Sequence, residues 1–154
     1  AFPDDDLAIT VSQWTELFTI GQRYHLDLFQ PSLINNGSDY VKHTHLVTND
    51  PKTILRYTTF VEIMIPVFSR RALLRSKRIL IDPQIKSGWG VDYVLPQRIL
   101  PRNKGYKVAV VDLVAIIHTK PLSRETPAVA NSFYKQYNIH PEREMRYFLK
   151  TYQK

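Results

Sequence analysis

Three consecutive carboxylates, Asp4, Asp5 and Asp6, lie near the start of the sequence. Side chains two residues apart on an extended segment project to the same side, so Asp4 and Asp6 could share one divalent cation. Hard oxygen ligands suit Mg²⁺ or Mn²⁺, and these ions usually complete their coordination shell with substrate phosphates. The alternative is an acidic, disordered chain end that binds nothing. The spacing of the carboxylates does not decide between these two interpretations.

A second group of candidate residues is the segment Gly88-Trp89-Gly90-Val91-Asp92. Glycines on both sides of a tryptophan allow tight backbone turns and present the face of the indole. An indole stacks on the apolar face of sugar rings, and Asp92 could accept a proton from a sugar hydroxyl. The alternative is a helix-start loop, in which Asp92 stabilises the first turn and Trp89 packs in the core.

Two single residues could complete such a site. His118 follows an apolar run, where an imidazole could bind a metal or simply take part in a hydrogen bond. Glu62 lies inside another apolar run and must be paired if it is buried. It could contact a substrate, or it could pair structurally with an arginine. His43 and His45 could face one metal, although an exposed polar strand explains the same spacing.

Length and composition restrict the function classes. The 154 residues correspond to about one domain, and the absence of cysteine excludes disulfides, thiolate metal sites and a cysteine nucleophile. It also suits a reducing compartment, so we expect a cytoplasmic protein. The net charge of +7 favours an anionic partner. We expect no nucleic acid, because no helix-turn-helix, ribonucleoprotein or zinc-finger pattern is present. The cations over 70–78 could instead contact anionic membrane headgroups peripherally, or simply be solvated.

The helices that must position these residues are predicted from capping residues and apolar spacing. Thr10 and Gln13 have capping-box spacing, and apolar residues follow at helical intervals, which predicts a helix over 11–25. The same reasoning predicts three further helices, over 70–81, 128–137 and 141–152.

The strands are predicted from β-branched and aromatic runs between turn residues. Residues 26–30 read as a strand that Pro31 ends, and the turn residues over 35–39 predict a hairpin. Residues 56–68 favour an extended segment of broken pairing. Residues 106–117 predict two strands that meet at a bend near Asp112. Mixed strands and helices without strict alternation indicate an α/β domain.

The order of these motifs resembles that of GT-A glycosyltransferases. More specifically, the chain is similar to a glycosyltransferase-like domain family of unknown function found in plants and bacteria. The residues that carry the similarity are FVEIMIPVFSR over 60–70, GWGVD over 88–92, VVD over 110–112 and His118. With the carboxylates they span residues 4–118, and the first two blocks are quite specific.

The resemblance implies a fold and an activity. The chain, a single domain or domain fragment over 1–154, would be the C-terminal, acceptor-side part of a GT-A-like fold, a mixed sheet with flanking helices. The nucleotide-binding half would precede Ala1. The implied activity is metal-dependent transfer of a sugar from a nucleotide-sugar donor to a saccharide or lipid-linked acceptor, with inversion. The alternative is a non-catalytic carbohydrate-binding relative.

The resemblance also implies residue roles. A divalent ion, Mn²⁺ or Mg²⁺, would be bound by Asp4, Asp6 and His118. Asp4 would also lie beside the nucleotide, where Asp5 either joins it or faces away. Asp92 would be the catalytic base that deprotonates the acceptor hydroxyl. The residues expected to contact the substrate are Trp89, Gly90 and Glu62.

Overall fold

A computed structural model describes residues 1–34, 52–119 and 126–152 of the protein. The strands are β1 (Leu7–Ala8), β2 (Leu28–Leu33), β3 (Arg56–Tyr57), β4 (Val67–Phe68) and β5 (Val108–His118). The helices are α1 (Val11–Arg23), α2 (Arg70–Leu80), α3 (Val91–Val94), α4 (Thr126–Gln136) and α5 (Pro141–Thr151). A π-helical turn (Leu95–Ile99) continues α3, and a 3₁₀ turn (Arg102–Lys104) follows. The predicted hairpin around 35–39, with His43 and His45, lies outside the described residues.

The sheet is mixed. Its strands are ordered β1-β5-β2-β4, and β3 also pairs with β5. The long central pair, β2 and β5, is parallel, whereas β1, β3 and β4 each pair antiparallel with a neighbour. Strand β2 is buried along its whole length, and its two polar residues, Gln30 and Ser32, donate side-chain hydrogen bonds to backbone carbonyls. The predicted α/β class, with a mixed sheet and flanking helices, is confirmed.

Helices cover both faces of this sheet. Successive side chains of a strand point to opposite faces, and Phe29 packs with residues of α1 such as Leu17, whereas Leu28 packs with the other helices. The second cluster includes Ile79 of α2 and Phe148 of α5, both fully buried. The protein therefore has two apolar layers, and the second joins the C-terminal helix to the middle of the chain.

The predicted boundaries in β2 and β5 are wrong. Pro31 lies within β2, where it ends no strand, because the β2–β5 register shifts immediately after it. A proline cannot donate to a strand ladder, and a bulge is one of the positions that tolerates it. The two strands predicted over 106–117 are one strand, β5, with an irregularity at residues 112–114. There the N–H groups of Asp112 and Leu113 both donate to the carbonyl of Ile54.

Local capping explains where the first two long helices begin. The Thr10 hydroxyl accepts a hydrogen bond from the Gln13 N–H, and the Gln13 side chain accepts from the Thr10 N–H, which confirms the predicted capping box. Ser69 caps α2 by accepting from the N–H of Ala72. All four predicted helices are present, with ends that differ by a few residues. None of the helices among the described residues is long and apolar enough to cross a bilayer.

Candidate functional site

The N-terminal segment lies between two other parts of the chain. Strand β1 pairs with the end of β5, and the Asp6 carbonyl accepts hydrogen bonds from both the N–H and the hydroxyl of Thr119, at 2.8 and 2.9 Å. On its other side, the Asp4 N–H donates to the Met64 carbonyl at 2.8 Å. This pairing brings the acidic residues 4–6 to the end of β5 and beside the loop before β4.

Asp6 and His118 meet in the fold, as the sequence analysis expects. His118 Nε2 lies 3.4 Å from Asp6 Oδ1, and the His118 side chain is 8% exposed. The pKa of Asp4 is raised, first by partial burial and then by the charges of Asp6 and Asp5, whereas His118 acts in the opposite direction. Asp4 therefore lies within electrostatic reach of the pair. Asp5, also expected at the nucleotide, is exposed.

The expected metal ligands, Asp4, Asp6 and His118, have suitable chemistry but not a complete arrangement. Carboxylate oxygens and an imidazole nitrogen are ligands that Mn²⁺ accepts. Within the described ranges, however, no group of three or more His, Asp or Glu side chains is arranged to hold a metal ion. Asp6 and His118 thus supply two neighbouring donors of the right chemistry. Asp4, the third residue of the expected set, is not in a position to complete a metal site with them.

Glu62 lies beside other carboxylates. Its backbone N–H donates to Oε1 of the fully buried Gln30 at 2.6 Å, and its own Oε1 accepts from the Ile63 N–H at 3.0 Å. Burial, followed by the negative charges of Asp92 and Asp4, raises the pKa of Glu62 to about 7, although the hydrogen bond from Ile63 acts against this shift. No ion pair between Glu62 and an arginine is present among the described residues, and a contact of Glu62 with a substrate stays a prediction.

The Gly-Trp-Gly loop turns sharply into α3. Gly88 and Gly90 have φ angles of 79° and 92°, in the left-handed region that glycine adopts without strain. Helix α3 begins at Val91, and Asp92 lies in its first turn, where its Oδ1 accepts from the Tyr93 N–H. The helix-start interpretation is therefore correct for the loop geometry. The negative charge of Asp92 also contributes to the raised pKa of Glu62, and the role of Asp92 as a base stays a prediction.

Glu144 of α5 holds this loop, and the sequence analysis missed it. Its carboxylate accepts three backbone N–H groups of the loop, from Lys86, Ser87 and Gly88, at 3.1, 2.9 and 2.8 Å. The signal that could have revealed it is helical spacing. Glu144 lies on the same buried stripe as Phe148 and Tyr152, four and eight residues later, where a charged residue needs buried partners.

Trp89 faces a cavity rather than the core. Its side chain is 50% exposed, which excludes the interpretation that it packs inside. It lines a cavity of about 500 Å³ together with residues of α4 and α5, among them Tyr134, Lys135, His140, Arg143 and Arg146. Glu62 and Asp92 are not among the described residues that line it. Trp89 thus presents its ring to a cavity beside the loop that leads into α3, the helix that contains Asp92.

A different buried carboxylate, Asp27, is fully paired. It is 3% exposed and accepts hydrogen bonds from the Ser69 hydroxyl, the Arg71 guanidinium and the Lys107 N–H. Burial alone would raise the pKa of Asp27, but the hydrogen bonds from Arg71, Lys107 and Ser69 hold it below its usual value. Asp27 therefore ties α2 to the starts of β2 and β5, and its role is structural.

Sequence comparison gives a family but no activity. The sequence profile of a family described as "Protein of unknown function (DUF707)" matches residues 38–151, well over half of the chain. The chain belongs to the DUF707 family. No curated protein and no solved structure matches it. Within this DUF707 protein the matched part contains Glu62, Trp89, Asp92, His118 and Glu144, whereas the carboxylates at 4–6 precede it.

Proposed function

We propose that this protein is a metal-dependent glycosyltransferase of the GT-A type. It would move a sugar from a nucleoside-diphosphate sugar to a saccharide or lipid-linked acceptor. The observation that carries the proposal is the convergence of acidic residues from three separate segments, namely residues 4–6, Glu62 and Asp92, with His118 against Asp6. Clusters of mutually repelling carboxylates cost folding free energy and are typical of catalytic sites.

Asp92 and Glu62 supply the proton chemistry. Asp92 accepts the proton of the acceptor hydroxyl while the acceptor oxygen bonds to the anomeric carbon and the bond to the leaving diphosphate breaks. Attack on the face opposite the leaving group inverts the anomeric configuration. Glu62, with a pKa near 7, can hold a proton at neutral pH and hydrogen-bond the acceptor without adding another full charge.

Asp6 and His118 lie in the part of the proposed site that would stabilise the leaving diphosphate. Asp6 and His118 would supply two ligands to Mn²⁺ or Mg²⁺, and substrate phosphates would complete the coordination shell of the ion. When bound, such an ion neutralises the charge of the departing diphosphate. Asp6 is oriented for this role by its backbone, since the Thr119 N–H and hydroxyl both donate to its carbonyl.

The second candidate function is carbohydrate binding without transfer. The observation that favours it is the half-exposed Trp89 above a cavity, since indole rings at such sites stack on sugars. The incomplete metal geometry among the described residues is compatible with it as well. The two functions differ in whether a donor is consumed.

A donor screen separates these functions. The full-length protein, including any sequence before Ala1, is incubated with UDP-, GDP- and ADP-sugars and Mn²⁺ or EDTA, and nucleoside diphosphate release and product formation are measured with a mixture of oligosaccharide acceptors. We expect metal-dependent transfer, and we expect Asp92→Asn to lower its rate about 10²–10⁴-fold with little change in donor binding. Glu16→Gln, at an exposed position of α1, is the control. Saccharide binding without donor consumption would overturn the proposal in favour of the binding module, and a fully active Asp92→Asn variant would remove Asp92 as the base.

A further inference from the structure

We infer that the cavity beside Trp89 binds a negatively charged sugar of the acceptor. This inference rests on the proposed function and specifies its substrate class. The cavity lies between the Gly-Trp-Gly loop and helices α4 and α5, and its volume of about 500 Å³ falls within the range of small-ligand sites. Trp89, which lines the cavity, is half-exposed, so a saccharide can reach its ring from solvent.

The charges around this cavity favour an anion. Lys135 of α4 and Arg143 and Arg146 of α5 all line it, and the one carboxylate among the described lining residues is Glu142. All three cations are exposed, so they are available to a ligand. A guanidinium matches a carboxylate or a phosphate with two parallel, charge-assisted hydrogen bonds, which are stronger than those to the hydroxyls of a neutral sugar. The cations therefore favour a negatively charged sugar over a neutral one.

The aromatic residues favour a sugar ring. Trp89 presents half of its surface, and Tyr134 lines the same cavity. An indole face with hydrogen-bonding groups around it suits a pyranose, which has one apolar face and polar edges. His140 is one of the groups that can bond such an edge.

The loop geometry connects this cavity to the proposed reaction. Trp89 lies on a loop whose backbone is held by Glu144 and whose Gly90 packs closely against Met145, and Asp92 follows three residues later in the first turn of α3. Because α5 both holds the loop and carries the arginines, one helix sets the position of Trp89 and of the cations together. A sugar stacked on Trp89 would therefore be held beside the residues that activate the next sugar of the acceptor.

Direct binding measurements test this inference with the intact protein. The probes are tri-galacturonate, which carries carboxylates, neutral galactotriose, galactose 1-phosphate, which carries a phosphate, and UMP. Binding is followed by calorimetry and by tryptophan fluorescence. Trp89→Phe assigns the fluorescence signal, because the second tryptophan, Trp14, is stacked on Phe18 in a different part of the fold.

The variants compare cations inside and outside the cavity. Arg143→Gln/Arg146→Gln removes two cations of the cavity, and Arg98→Gln/Lys150→Gln removes two exposed cations outside it, one of them on the same helix. We expect the first pair to weaken tri-galacturonate binding by about tenfold or more, and the control pair to change it by less than about twofold. Added salt should weaken binding to the wild type and have little effect on the first variant.

The probes also separate the sources of the anion. Tighter binding of tri-galacturonate than of galactotriose supports a uronate as the bound sugar. Tighter binding of galactose 1-phosphate than of tri-galacturonate supports a phosphorylated sugar instead. Equal binding of neutral and acidic trisaccharides, or binding of UMP alone, would overturn the inference. Donor consumption is scored separately. Transfer to acidic acceptors that is unchanged by Arg143→Gln/Arg146→Gln defeats this inference alone, whereas charge-selective binding without any transfer defeats the proposed function alone.

Discussion

Asp27 and Glu62 are two acidic residues withdrawn from solvent, and their surroundings act in opposite directions. Asp27 is met by an arginine, a hydroxyl and a backbone N–H, which together hold its pKa below the usual value. Glu62 is met by Asp92 and Asp4, and its pKa rises to about 7. Burial favours protonation at both positions, so the difference comes from the neighbours.

The contrast separates a structural carboxylate from a candidate functional one. Asp27 contributes stability that is present above the ordinary carboxyl pKa and is lost as the pH falls through its lowered value. Glu62 favours the folded state most below its unfolded pKa, and this contribution is lost as the pH rises through about 7. A chain that keeps such a destabilising group at neutral pH has a reason other than folding to keep it.

The strongest way to break the comparison is to remove Asp27. Asp27→Ala leaves the Lys107 N–H, the Ser69 hydroxyl and Arg71 without their acceptor. We expect the free energy of unfolding to fall by about 3 kcal/mol, measured by urea denaturation at pH 7. Glu16→Ala, on the exposed side of α1, should change it by less than about 0.5 kcal/mol. Equal small effects of both variants would contradict the structural role of Asp27.

Replacing Glu62 should raise the free energy of unfolding, whereas replacing Asp27 lowers it. Glu62→Gln mimics the protonated carboxyl, so it removes the repulsion from Asp92 and Asp4. At pH 8 we expect the variant to be more stable than the wild type by about 1–3 kcal/mol, and at pH 5 by much less. The wild type should lose stability relative to the variant as the pH rises from about 4.5 to about 7. Urea denaturation across this range measures the difference, and a pH-independent difference would be incompatible with the account.

A smaller effect is expected at Glu144, a third carboxylate, which accepts hydrogen bonds from backbone N–H groups. Glu144→Gln keeps one acceptor oxygen but places an amide NH₂ against the loop. We expect a loss of about 1–2 kcal/mol. Faster hydrogen exchange of the Lys86, Ser87 and Gly88 amides should accompany it. Glu142→Gln, on the exposed side of the same helix, is the matched control. Unchanged exchange would show that Glu144 does not hold the loop.

Local signals in the sequence predict much of this fold. The capping box at Thr10 and Gln13 is present, and α2 and α5 begin at their predicted residues. Pro31 misleads because the event that accommodates it, the irregularity in β5, lies in a partner strand far along the chain. Side chains that cap a helix act within a few residues, whereas register depends on pairing that no local pattern records.

The candidate site likewise has one part that the sequence predicts and another that it does not. The residue types and motif order predict that Asp6 meets His118. The raised pKa of Glu62 comes from burial and then from the charges of Asp92 and Asp4, and both of these residues are distant from Glu62 in sequence. Glu144 was missed because its hydrogen bonds run to a loop far along the chain. Charge interactions between separate segments can be predicted only once the sheet has been assembled.

The most direct test of the account is the pKa of Glu62 itself, read by carbon NMR of its carboxyl group in the wild type and in Asp92→Asn. The central claim is that carboxylates from separate segments form one coupled site. It predicts a pKa of about 7 in the wild type and a clearly lower value in the variant, because a like charge has been removed. Asp82→Asn, at a carboxylate that accepts from Tyr152, should leave it unchanged. A Glu62 pKa near 4.5 that does not respond to Asp92→Asn would contradict the claim.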